Sequence, residues 1–314
     1  MRYILIICLH VMLSLGPLSR YTLAETRFSQ PLNGAWSFLV SAATDPLAVD
    51  SDTDWREVAV PAPWDSPQPV AWYRRGLTVD RPGWPGRIFL RFEQVNYESR
   101  VFLNNREVGY HRDGYLPFEV EITDFVRRDT ANELEIRVHD ETCVMTPEGV
   151  LAPLKSLEHE RGIVGDVSLH YRPAAFIEDV FIVPSVERSS VRVEIAVDNG
   201  AATTKGRVET RFPGEQGTPE LVSSVLVGSD DSALIVMSAP WDQPKLWWPY
   251  SPHLIHAETV LFDEDGDEVD RVTTRFGFRE FNVAGTRFEL NGVPMNLFLS
   301  GLHSRPDEWS DPRE

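Results

Sequence analysis

From about residue 26 to 172, apolar and polar residues alternate in short runs. Ile88, Leu90 and Phe92 alternate with Phe89 and Arg91. Phe118, Val120 and Ile122 alternate with Glu119 and Glu121, and Leu134, Ile136 and Val138 with Glu135 and Arg137. Successive side chains of a strand point to opposite faces, so a period of two predicts half-buried strands. Asn104-Asn105, between Leu103 and Val108, predicts a hairpin turn, because Asn tolerates positive φ. No stretch with helical period and caps stands out. Strands of this number and spacing predict a two-sheet sandwich.

The same period continues from about residue 176 to 274. Val191, Val193, Ile195 and Val197 alternate with Arg192, Glu194 and Ala196. Val225–Val227, Ala233–Val236 and Thr259–Phe262 are further strands, and Asp265-Gly266 is a hairpin signal. Residues 203 to 218 are polar and rich in Gly, which predicts strand ends and a loop. Seven or so strands in about 100 residues suit an immunoglobulin-like sandwich. Past residue 290 the pattern changes. The apolar run Met295 to Leu299 reads as a buried strand of the parallel-sheet type, with no partner before the last residue, Glu314. The expectation is a chain that stops just after the first strand of a further domain.

Composition adds limits. The 314 residues suffice for two domains with real cores. A formal net charge of −18 argues against nucleic acid and anionic membranes as partners. Arg2 followed by an apolar Tyr3–Leu18, shorter than the roughly 20 residues of a membrane span, reads as an export signal ending at Thr22-Leu23-Ala24. The mature protein is therefore expected to be periplasmic or secreted. Cys8 leaves with the signal, so Cys143 has no partner for an internal disulfide.

A set of short motifs runs through the chain in order. Leu32-Asn33-Gly34-Ala35-Trp36-Ser37-Phe38, Val60-Pro61-Ala62-Pro63-Trp64 and Trp72-Tyr73-Arg74-Arg75 come first. Val101–Asn105 with Gly109, Gly114–Phe118 with Ile122-Thr123, and Gly162-Ile163 with Val167-Ser168-Leu169 follow. Leu246-Trp247-Trp248-Pro249, Arg275-Phe276-Gly277-Phe278-Arg279, Phe288–Pro294 and Ser300-Gly301-Leu302-His303 close the set. Together they resemble glycoside hydrolase family 2, the group of β-galactosidases, β-glucuronidases and β-mannosidases. Asn105 stands where that pattern usually has Gly, and Val164 and Gly165 replace its aromatic and basic residues.

The resemblance implies an all-β chain: a jelly-roll, galactose-binding-like sandwich over 25–174 and an immunoglobulin-like sandwich over 175–276. The start of a truncated (β/α)8 barrel over 277–314 would follow, after a signal peptide at 1–24. It implies retaining hydrolysis of β-linked glycosides by two glutamates on later barrel strands. No catalytic residue, cofactor or metal is then expected in this chain, which would be the non-catalytic part of the enzyme. The partners implied are carbohydrate and a polypeptide supplying the barrel; a non-enzymatic carbohydrate-binding module is the alternative. His303, at the end of the first barrel strand, is the one candidate substrate-binding residue.

Other candidates read as structural. The acidic run Asp263–Glu268 is a solvated hairpin tip, and Glu158-His159-Glu160-Arg161 a solvated loop lacking a third metal ligand. His253 and His256 are three apart, which in a strand puts them on opposite faces. Trp36, Trp64 and Trp72 are core residues, and Trp247-Trp248 a wedge between domains. Arg279 is expected to pair with a carboxylate or carbonyl at a junction. Asp307, Glu308 and Trp309 share the loop of His303, the two acids as solvated or helix N-terminal charges. No phosphate loop, paired-Cys motif or nucleophile elbow is present.

Overall fold

A computed structural model describes residues 26–49, 54–64, 68–140, 160–200, 204–227 and 232–297, and the backbone of 143–145 and 151–153. Strands dominate, and among the described residues every strand pairing is antiparallel.

The first sandwich packs two sheets face to face. One sheet has six strands in the order Arg56–Val60, Gly34–Val40, Val70–Leu77, Asn132–His139, Glu98–Leu103 and Arg106–Arg112. The other has four: Phe28–Pro31, Val167–Arg172, Arg87–Phe92 and Phe118–Glu121. The alternating residues fill the space between them. Ile88, Leu90 and Phe92 meet Phe38, Tyr73, Val101 and Ile136 in one core. Asn104 and Asn105 take φ of 53° and 65°, forming the expected turn.

One short helix, Pro46–Val49, is a departure from the strand-only reading. Asp45 accepts a hydrogen bond from the Leu47 amide at 2.9 Å, and Pro46 fills the first helical position, where its missing N–H costs nothing. Its Val49 joins Leu39, Trp72 and Phe102 in a small cluster on the outer face of the six-stranded sheet. At four residues it is too short for periodicity to register.

The second sandwich pairs a three-stranded sheet, Phe176–Ser185, Ser190–Asp198 and Ser232–Pro240, with a four-stranded one. The latter runs Leu221–Val227, Thr204–Arg211, Ile255–Asp263 and Glu268–Phe276. Of the strand ends and loop expected over 203–218, residues 212–218 are the loop, while Thr204–Arg211 is a full central strand. Gly206 is required by close approach: a Cβ there would sit 1.9 Å from the Phe262 carbonyl oxygen. Val208 and Thr210 face the core, and Thr210 and Thr259 join hydroxyls at 3.0 Å. On the outer face, Glu209 is held between Arg207 (2.8 Å) and Arg211 (2.5 Å). The polarity that reads as loop is an ion-pair ladder.

Beyond Phe278 come three short strands, Phe281–Ala284, Arg287–Leu290 and Val293–Met295, forming a meander. Met295 thus ends an antiparallel strand rather than opening a parallel one. Leu299 and the rest of the expected barrel start lie outside the described residues.

A buried charge joins the sandwiches. Asp270, fully buried, receives Arg27 Nε at 2.9 Å, Arg27 Nη2 at 2.7 Å and the Ile177 amide at 2.8 Å. Beside it Phe176 meets Phe89 edge-on at 5.7 Å, with the guanidinium groups of Arg87 and Arg172 over its ring at 5.2 and 5.0 Å. Arg87 also bridges the units, binding Glu121 at 2.6 Å and Asp198 at 2.7 Å. Removing one member of a buried pair strands the other's charge. We expect Arg27→Ala to lower unfolding free energy by about 3 kcal/mol in urea titrations, and Arg27→Ala with Asp270→Asn to recover part of it. Equal loss in the single and double variants would contradict this account.

Candidate functional site

His303 lies outside the described residues, as do Asp307, Glu308, Trp309, Glu158 and His159. Of the remaining loop cluster, the Glu160 carbonyl accepts a hydrogen bond from Asn96 Nδ2 and Arg161 pairs with Asp140 at 2.6 Å. His253, expected to be incidental, ties to Glu215 at 2.9 Å. The acidic run forms a hairpin tip in which Asp263 Oδ1 accepts the amides of Asp265 and Asp267. Trp36, Trp64 and Trp72 are buried. Among the described residues, no three His, Cys, Asp or Glu side chains converge to hold a metal ion.

Two grooves stand out. The larger, about 520 Å³, lies between the hairpin Phe176–Ser185/Ser190–Asp198 and the segment 279–282. The floor carries Phe181, Val183 and Arg192; Arg188 lies on the hairpin turn, and Arg279, Glu280 and Phe281 form the wall. Glu280 fastens the wall to the turn. Its Oε2 accepts the Glu187 amide at 2.9 Å and the Ser185 hydroxyl at 3.2 Å, and its Oε1 accepts Asn282 Nδ2 at 3.3 Å. Asn291 fastens the wall from behind: Oδ1 accepts the Glu280 amide at 2.9 Å and Nδ2 donates to the Trp247 carbonyl at 3.0 Å. A φ of 53° lets its side chain make both contacts. This is the work of the Asn in Leu290-Asn291-Gly292, which sequence reading noticed only as part of a motif.

Gly277 and Arg279 of the Gly-Phe-Arg motif meet Trp247. A Cβ on Gly277 would lie 2.8 Å from the Trp247 side chain. Arg279 rests over the indole at 4.5 Å from the ring centroid, and among the described residues it has no carboxylate or carbonyl partner of the kind expected. Trp247 therefore packs against Gly277 and Arg279, the residues that follow the second unit.

The second groove, about 410 Å³, sits on the first sandwich around Arg74, Arg75, Arg127, Asn104, Asn132 and Glu133. Arg74 binds the buried Glu135 at 2.8 Å and Glu133 at 3.1 Å, and stacks on Trp55 at 4.2 Å. Each groove holds a single carboxylate, Glu280 or Glu133, and both are engaged. Neither offers the facing pair that acid–base cleavage of a glycosidic bond uses.

The Glu187 amide, first among several donors, holds the Glu280 carboxyl below its ordinary value of 4.5. A depressed pKa in the folded state gives stability that is complete above the unfolded value and is lost as pH falls through the folded one. We expect amide exchange at 185–188 and 281–290 to accelerate as pH drops below about 4.5 once intrinsic rates are divided out, and Glu280→Gln to remove that dependence. An unchanged pH profile in the variant would exclude the Glu280 clamp as its cause.

Comparison with known proteins follows the same two units. The profile described as "Glycosyl hydrolases family 2, sugar binding domain" matches residues 59–173, and that described as "Glycosyl hydrolases family 2" matches 175–279. A putative β-glucuronidase of Formosa agariphila is 27% identical over 293 residues, covering 89% of this chain and 34% of the relative. A β-galactosidase of Thermoanaerobacter pseudethanolicus is 29% identical over 239 residues, 73% of this chain and 31% of the relative. Among solved structures, Bacteroides uniformis β-glucuronidase 2, covalently bound to cyclophellitol-6-carboxylate aziridine, superposes with a TM-score of 0.71 at 27% identity. That match covers 86% of this chain and 35% of the other. The chain thus spans about a third of the length of these relatives. With both profiles matched in order, over more than two thirds of its residues and on two antiparallel sandwiches, the chain belongs to glycosyl hydrolase family 2.

Proposed function

We propose that this chain is the non-catalytic N-terminal part of a β-glycoside hydrolase. Retaining hydrolysis needs an acid and a nucleophilic carboxylate about 5–5.5 Å apart. The observation that carries the reading is the lone, engaged carboxylate in each groove, on two sandwiches of a glycosidase family. The catalytic pair then belongs to a (β/α)8 barrel, borne by a continuation of the chain or by a second polypeptide. The relatives' names support β-glucuronides or β-galactosides as the substrate class. In this reading residues 277–314 begin the barrel. His303 lines the sugar pocket, its imidazole bonding a hydroxyl in either direction. A second reading, a carbohydrate-binding module with no hydrolytic partner, draws on the sugar-binding description of the 59–173 profile.

The purified chain is expected to leave nitrophenyl β-glucuronide and β-galactoside uncleaved. A separately produced barrel of the family should restore turnover on mixing, and His303→Ala should raise KM of that mixture about tenfold. Cleavage by the chain alone would sink the non-catalytic assignment. A melting-temperature rise with neutral oligosaccharides, and no complementation by any barrel, would select the binding-module reading.

We place the mature protein outside the cytoplasm, on the strength of the positively charged and apolar run in residues 1–24. Mass spectrometry of the exported protein should find Glu25 as its first residue. An exported form that keeps Arg2 would exclude signal cleavage.

A further inference from the structure

We infer that the groove on the second sandwich binds an acidic saccharide chain, one whose sugar rings carry carboxylate or sulfate groups. The inference goes beyond the hydrolytic reading and does not depend on it, because nothing in the groove performs chemistry.

Charge is the first argument. Three guanidinium groups line the groove, those of Arg188, Arg192 and Arg279, against one carboxylate, Glu280. This concentration of positive charge sits on a chain of net charge −18. Glu280 spends its oxygens on the Glu187 amide, the Ser185 hydroxyl and Asn282, so it is fixed as a wall and its charge is already solvated by donors. Arg192 pairs with Glu194, whereas among the described residues neither Arg188 nor Arg279 has a carboxylate partner. Arg279 is nevertheless oriented, because the Trp247 ring lies beneath it. A planar guanidinium held in place with its N–H groups open to the groove is suited to two-point binding of a carboxylate or sulfate.

The second argument is the company these cations keep. Phe181 is 57% exposed and Phe281 49% exposed, and both line the same groove. Phe281 is stacked on Phe288 at 5.6 Å with an interplanar angle of 20°, which fixes its free face. Flat apolar rings beside cations fit a ligand that is itself flat, with C–H faces and charged edges. Ser190, Ser238 and Asn282 add hydroxyl and amide groups able to meet ring hydroxyls. An acidic sugar ring has all three features. A neutral sugar leaves the arginines unused.

Uronate and sulfated sugars share this chemistry, and the test separates them. The 314-residue chain is run in native gels containing polygalacturonate, dextran sulfate, neutral dextran or poly-glutamate. Polygalacturonate, dextran sulfate or both should retard it, more weakly as salt rises, and neutral dextran should not. Arg188→Ala with Arg279→Ala should raise the apparent Kd about tenfold. Phe181→Ala should also weaken retardation, and all three side chains are exposed, so melting temperature should hold. Retardation unchanged in the double arginine variant would overturn the proposal. So would equal retardation by poly-glutamate with no effect of Phe181→Ala, which would assign the groove to an acidic peptide.

Discussion

Everything in the arrangement of the two sandwiches turns on Asp270. A carboxylate with no exposure must have its charge answered on the spot, or burial costs several kcal/mol. Three donors answer it: Nε and Nη2 of Arg27, at the very start of the described chain, and the amide of Ile177, at the start of the second sandwich. One side chain near the end of the second sandwich therefore fixes two distant segments at once. Arg27 Nη2 also donates to the Ile177 carbonyl, so the same residue has both its backbone groups engaged at the junction. Only Pro173, Ala174 and Ala175 separate the last strand of one unit from the first of the other. A short link and a charge pinned across it tie the sandwiches together, and Phe89, edge-on to Phe176, lines the seam with Arg87 and Arg172.

Much of the fold was legible because strands that bury one face must alternate. Ile88, Leu90 and Phe92 were readable for that reason, and so was the Asn104-Asn105 turn. The failures have physical causes too. Thr204–Arg211 hid its inward Val208 and Thr210 among charges that answer one another across the outer face, so polarity there marked an ion-pair ladder. Phe89, apolar on the polar side of its strand, was the visible trace of the domain seam, and its meaning required the second sandwich. Met295 belonged to a meander because Phe288 stands opposite it, a pairing that an apolar run does not announce.

The site was less legible than the fold. Motif resemblance found Gly277, Arg279 and Asn291 but not their work. Glu280 and Ser185 are 95 residues apart in sequence, and Asn291 and Trp247 are 44 apart. No local pattern encodes such contacts. The groove they frame has its floor from one sheet and its wall from the segment after it, so neither half carries a signal alone. Arg188, Arg192 and Arg279 come together only in the folded chain, and so does the exposure of Phe181 and Phe281 beside them.

Asn291 has one more consequence. Because it grips Glu280 on one side and Trp247 on the other, the turn at residue 291 is set by the sandwich behind it, as a rudder is set by its post. The last described strand, Val293–Met295, thus leaves the sandwich from a turn held by one side-chain amide.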